Sequence, residues 1–272
     1  MAKGKQKKAK STPAKPGEEA AVNEEEGVAR PLFLDEMTPS MIRDYLARTQ
    51  SIIIPLGATE PHGDHLPVGT DSFCALGLCE RLSSQTGLAI APSMPYGYLD
   101  RMIGHPGAIT LSRETYGAVV AELFEQFAQS GVRFFVIASG HGPNRASILE
   151  GVRRVVERHR AQFLVVEWYL LAERYMEGLF GTPDIGHGGI VEVAAMRQYR
   201  SELVHMERAT PDSFTSWVPG VIAFPYQRTA VVADASAVMK ADPGRMAQLM
   251  AAVERETIEL VRDALAAFRT VP

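Results

Sequence analysis

Apolar residues in this chain fall into two kinds of pattern. Short unbroken runs lie at 51–57 (Ser51-Ile52-Ile53-Ile54-Pro55-Leu56-Gly57), 88–92, 132–138 and 162–167. Each has the length of a strand, and a run without alternation predicts burial on both faces. Between them, apolar positions recur every three to four residues over about 41–48, 71–85, 113–129, 145–160, 168–178, 189–200 and 243–268. These stretches predict helices. Punctuation agrees: Thr38 or Ser40 can cap the first helix, Ser112 the one over 113–129, and Gly131 lies just beyond its end. Strands alternating with helices predict an α/β fold, a three-layer α/β/α arrangement around a mostly parallel sheet. The stretch 201–238 carries no clear period. Trp217, Pro219, Gly220 and Pro225 predict a long loop with short strands there. No internal repeat is visible.

Residues 1–29 differ in kind. Met1 to Lys15 holds six lysines and no acid, and Glu18 to Glu26 holds five glutamates. With almost nothing apolar to bury, such a segment cannot offset its ordering entropy, so a disordered charged tail is expected, followed by one domain over 30–272. The 272 residues suffice for one large core, and the net charge of -4 offers no basic field for nucleic acid. No apolar run approaches the roughly 20 residues of a membrane span, and the tail lacks the apolar centre of a secretory signal. A cytoplasmic protein is expected, with Cys74 and Cys79 as buried free thiols.

The chemistry gathers where ordered segments end. After the first strand comes Glu60-Pro61-His62-Gly63-Asp64-His65-Leu66-Pro67-Val68-Gly69-Thr70-Asp71. Its prolines and glycines oppose helix, so this is a rigid loop able to aim Glu60, His62 and Asp71 at one point. That mix of oxygen and nitrogen donors suits zinc, manganese or iron(II). A second strand ends in Ser139-Gly140-His141-Gly142-Pro143-Asn144, and a third loop, Asp184-Ile185-Gly186-His187-Gly188-Gly189-Ile190-Val191-Glu192, leads into a helix. In open α/β sheets, ligands bind outside the carboxyl ends of the strands, where loops distant in sequence converge. A nucleophile elbow, a phosphate-binding P-loop and a dinucleotide fingerprint are all missing from the sequence.

In this order the motifs resemble those of the creatininase (creatinine amidohydrolase) family. Gly57 to Asp71 is similar to the family's Gly-Ser-x-Glu-Gln-His-Gly-Pro-His-Leu-Pro-Leu-x-Thr-Asp. Ser139 to Asn144 is similar to Asn-Gly-His-Gly-Gly-Asn, His187 to Ala194 to His-Ala-Gly-x-x-Glu-Thr-Ser, and Pro106 to Leu111 to Pro-Gly-Thr-Ile-Thr-Leu. The resemblance implies a creatininase-like α/β/α domain, assembled as a homo-oligomer, commonly a hexamer. It also implies a hydrolase with one or two divalent ions per subunit, zinc or manganese, with iron possible in principle. Glu60 and His141 would hold one ion, His62 the other, and Asp71 would bridge. In creatininase a further carboxylate lies where this chain has Pro143. Glu192 is the nearest motif-borne replacement; equally, the working enzyme would use a single metal.

His187 matches the family's catalytic histidine, and an imidazole suits protonation of a departing nitrogen. Glu192 stands beside it as a second catalytic candidate. Tyr98, Arg101 and His105 are candidates to line the substrate pocket, His65 to hold the loop, and Asn144 to hold the chain around His141. His159 and His205 read as surface residues. The implied reaction is hydrolysis of a cyclic or non-peptide amide by metal-activated water. Alternatives within the family are cleavage of a dehydro-inositol or other β-dicarbonyl ring at a C–C bond, trimming of a modified-peptide precursor, and a member that binds metal or ligand without turnover. The expected partner is a small-molecule substrate.

Overall fold

The computed structural model describes residues 29–100, 102–181, 186–210 and 235–270. The charged tail, most of the predicted loop with short strands, and Arg101 lie outside the described residues. Three strands, β1 (Ser51–Leu56), β2 (Phe134–Ser139) and β3 (Gln162–Glu167), form a parallel sheet in the order β1-β2-β3. Seven α-helices are present among the described residues: α1 (Pro39–Thr49), α2 (Thr70–Thr86), α3 (Arg113–Gln129), α4 (Arg145–His159), α5 (Trp168–Phe180), α6 (Ile190–Tyr199) and α7 (Pro243–Thr270). Thr38, rather than Ser40, caps α1 through the Met41 N–H, and Ser112 caps α3 through that of Thr115.

The period of two along the strands makes the layers. Ile53, Phe134, Val136, Ala138 and Val166 pack against α2, α5, α6 and α7. Ile52, Ile54, Phe135 and Ile137 face the other way, into Tyr45 and Leu46 of α1, Tyr116, Val120 and Phe124 of α3, and Ile148 and Val155 of α4. Every residue of β1 and β2 is buried, as their unbroken apolar runs require; β3, at the edge, is only partly covered.

One predicted strand is not formed. Residues 88–92 lie along the outer side of β1 but make a single bridge there, with Ile53 N–H bonding the Ala89 carbonyl and Ala91 N–H the Ile53 carbonyl. The next parallel step would need an N–H from Pro55, which has none. The even-numbered N–H groups of β1 serve β2, so the proline leaves that ladder whole and stops the other.

The register is level: Leu56, Ser139 and Glu167 are paired across the sheet, so all three strands end on one line. The first turn of α2 is wedged against that line. A Cβ on Gly140 would overlap the Asp71 carbonyl, and one on Gly57 would lie 2.6 Å from the Ser72 Cα. Both strand-end glycines thus let the start of α2 sit flush on the sheet. Gly140→Ala is expected to cost about 1–3 kcal/mol, the usual range for overpacking. Because the obstructing atom is the main chain of Asp71, it is also expected to move that carboxylate. Urea unfolding of the purified variant reads the first effect and its metal content the second; wild-type values for both would show that the wedge is not tight.

Candidate functional site

Four segments meet above the level ends of β1 and β2. The loop after β1 supplies Glu60 and His62, the first turn of α2 supplies Asp71, and the loop after β2 supplies His141. The approach to α6 supplies His187 and its first turn Glu192. Glu60, His62, Asp71 and His141 are buried although all can carry charge. His141 Nδ1 lies 3.0 Å from Glu60 Oε1 and 2.9 Å from Asp71 Oδ2. On the other side of the same carboxylate, His62 Nε2 lies 3.1 Å from Asp71 Oδ1 and 3.5 Å from Glu192 Oε1. Two donor groups therefore abut, Glu60–Asp71–His141 and His62–Asp71–Glu192, and each takes a different oxygen of Asp71.

The histidines share one arrangement. Each gives one ring nitrogen to a main-chain carbonyl: His62 Nδ1 to Glu60 (3.0 Å), His141 Nε2 to Tyr98 (3.0 Å) and His187 Nε2 to Pro61 (2.8 Å). A carbonyl only accepts, so those nitrogens carry the proton. The other nitrogen of each ring faces the carboxylates, the way a ligating or proton-moving imidazole is held in one tautomer. His187 stacks on His62 with centroids 4.2 Å apart, and its Nδ1 lies 3.9 Å from Glu60 Oε1. Its side chain is 29% exposed where that of His62 is fully buried, so only His187 of the two can meet a molecule arriving from solvent.

The residues fit a divalent cation. His62 Nε2 and Asp71 Oδ2 are buried without a hydrogen bond, although oppositely charged groups stand within ion-pair distance. Their donor directions miss one another, as they would if they converged on a shared centre. Electrostatics agree. Burial opposes charge on both ligand histidines, but Glu192 and Asp71 hold the His62 pKa well above its ordinary value. Glu60 and Asp71 likewise outweigh burial and carry that of His141 to about 10. In turn, burial opposes ionisation of Asp71 and Glu192, yet His62 holds both carboxyls below their usual range. Three carboxylates packed this closely demand positive charge among them, from imidazolium or from a metal ion.

Glu192 has its second oxygen committed: Oε2 accepts the Gly188 N–H at the start of α6. His65 is buried and donates to the Gly188 carbonyl at 2.8 Å, which ties the first loop to the one carrying His187. Pro143 occupies the loop after β2 without a donor side chain. The ring of Tyr98 lies under the Arg113 guanidinium, 4.7 Å from it, so its carbonyl and not its phenol reaches the site. His105 sits in a turn, with its N–H on the Met102 carbonyl, and belongs to none of the donor groups among the described residues. The stretch carrying it is pinched at its base, where Leu99 N–H bonds Thr110 Oγ1 (2.8 Å) and Leu111 N–H bonds the Gly97 carbonyl (3.0 Å). His159 pairs with Glu125 and His205 with Glu207 at the surface, and both cysteines are free and buried. Sequence reasoning missed the carbonyls of Glu60, Pro61 and Tyr98 because a main-chain acceptor has no residue-type signature.

Comparison with known proteins agrees with this geometry. The family described as "Creatininase: Creatinine amidohydrolase" matches residues 35–265. The chain is 26% identical to creatinine amidohydrolase of Pseudomonas putida over 203 residues, covering 66% of this chain and 76% of that one. It is also 26% identical to 3-dehydro-scyllo-inosose hydrolase of Thermotoga maritima over 196 residues, 69% of this chain and 62% of that one. A crystal structure of creatininase superposes with a TM-score of 0.77 at 20% identity, covering 87% of this chain and 99% of the other, and a manganese form of creatininase gives 0.76.

Proposed function

Because the chain belongs to the creatininase family of hydrolases, we propose that it hydrolyses a cyclic or non-peptide amide at two divalent ions held by the residues above. One observation carries the proposal: Asp71 is buried and presents one oxygen to each of two complete donor groups. Glu60, His141 and Asp71 would hold one ion, and His62, Asp71 and Glu192 the other. Glu192 thereby fills the place left without a carboxylate at Pro143. Mixed imidazole and carboxylate donors suit zinc, manganese or iron. A bound pair of such ions supplies Lewis acidity and brings the pKa of water toward neutrality.

The chain's own groups do the rest. The buried ligands and their carbonyl anchors hold the donor set rigid and keep bulk water from its floor. His187 is the one imidazole of the site that is open to solvent. Its Nδ1 can deliver a proton to the departing nitrogen while Nε2 stays on Pro61. Glu60 Oε1, 3.9 Å away, favours the imidazolium form before transfer. A second reading, C–C cleavage of a cyclic β-dicarbonyl, draws support from the Thermotoga relative, whose similarity spans 69% of this chain.

The test joins metal and substrate. Protein stripped by chelator and titrated with Zn²⁺ or Mn²⁺ is expected to bind two ions per chain. Loaded protein should then release an amine or ammonia from one of a panel of lactams, cyclic ureas and formamides. Carboxylate formation from a cyclic β-diketone, with no nitrogen released from any amide, would replace C–N with C–C hydrolysis. Failure to bind either ion would remove the metal mechanism altogether.

A further inference from the structure

Asn144 makes no contact with the donor groups, yet it joins three of the segments that build them. It is fully buried. Its Oδ1 accepts the Tyr98 N–H and its Nδ2 donates to the Gly57 carbonyl, both at 3.0 Å. Gly57 lies three residues before Glu60, and Asn144 three residues after His141. The junction is close-packed: a Cβ on Gly97 would lie 2.8 Å from Asn144 Oδ1 and 2.9 Å from the Gly57 carbonyl oxygen. Nothing of its size other than an amide both accepts and donates along these two directions.

The consequence runs through Tyr98. By fixing the Tyr98 N–H, Asn144 fixes the peptide chain whose carbonyl receives His141 Nε2–H. That bond keeps the proton on Nε2 and turns the Nδ1 lone pair toward Glu60 and Asp71. His62 has a separate anchor, the Glu60 carbonyl within its own loop. Asn144 therefore bears on one donor group and not on the other.

We infer that Asn144 is a positioning residue that acts through the Tyr98 carbonyl to set the tautomer and aim of His141, and so tunes affinity at the Glu60–Asp71–His141 position alone. This rests on the two-ion assignment above, and the experiment separates the two. Wild type, Asn144→Ala, Asn144→Asp and a control, Val155→Ala in the α4 core, are stripped and titrated with Zn²⁺ by calorimetry, well below each melting temperature. Wild type is expected to show two binding steps. Asn144→Ala should weaken one step by roughly 10–100-fold, the cost typical of losing an outer partner of a ligand histidine, and leave the other within about threefold. Asn144→Asp keeps an acceptor for the Tyr98 N–H and should recover the weakened step to within about fivefold. Val155→Ala should lose stability and change neither step.

Should alanine prevent folding, Asn144→Leu, of nearly the same volume and without either bond, takes its place with the same expectation. Equal weakening of both steps, an unchanged pair of steps, or a Val155→Ala profile like that of Asn144→Ala would each overturn the inference. A wild type that binds no Zn²⁺ would overturn the metal assignment itself, and the inference with it.

Discussion

Asp71→Ala is expected to leave the protein folded and nearly without metal. The single carboxylate faces both donor groups, Oδ1 toward His62 and Oδ2 toward His141. Its removal takes a ligand from each ion at once and subtracts a negative charge from a buried cluster. The loss should exceed the roughly 10–100-fold that an outer partner costs, and turnover should fall with it. Equilibrium dialysis against Zn²⁺ or Mn²⁺, followed by elemental analysis, reads the occupancy of each variant. One ion bound with wild-type affinity in Asp71→Ala would show that the aspartate serves one position only, and the shared-oxygen geometry would have no functional meaning. Asp71→Asn, which keeps the shape and one neutral oxygen, should fall between wild type and alanine.

His187→Ala is expected to behave in the opposite way, with metal retained and turnover lost. Its ring stacks on His62 and hydrogen-bonds Pro61, but its Nδ1 stands farther from Glu60 than the facing nitrogen of His141 does. Removing a group that protonates the leaving nitrogen costs on the order of 10²–10⁴ in rate. With the substrate found by the panel, kcat should drop by that range while KM and metal content change little. The alkaline limb of the wild-type pH–rate profile, where the proton donor is lost, should also disappear. If His187→Ala loses metal as completely as Asp71→Ala, then His187 is a ligand, completing a group with Glu60 and His62, whose donor atoms also lie within reach of one another.

Much of this site is legible in the sequence because of its position rather than its composition. Glu60, His141 and their neighbours follow runs that are apolar without alternation, and such runs are strands covered on both faces. Loops at their ends share one edge of the sheet. Asp71 was readable for a different reason, as the first acid of a helix that starts directly after the metal-like loop. The 88–92 run has the same composition as a strand. What prevents its pairing is the direction of one missing N–H, at Pro55, and direction is set only when the sheet forms. Tyr98 shows the same limit. Its residue type points to a ring in a pocket, while the bonds at the base of its loop turn the ring to Arg113 and present the carbonyl instead. Hydrogen-bond partners of the histidines lie outside composition altogether, since any residue brings a carbonyl.

The pinched base of the stretch around His105 carries one more consequence. Pairing along β1 stops at Pro55, so the chain leaves the sheet there, and the bonds joining residues 97–99 to 110–111 close it off before and after. What lies between those clamps, 100–109, is an insert whose length and composition do not enter the sheet ladder or the anchoring of His141. Loops of that kind tolerate exchange far better than the elements that carry them. A family built on this plan can change what it recognises by replacing some ten residues as a cassette, leaving the donor groups untouched. Exchanging 100–109 for the corresponding loop of a relative should therefore transfer part of its substrate preference at constant metal affinity.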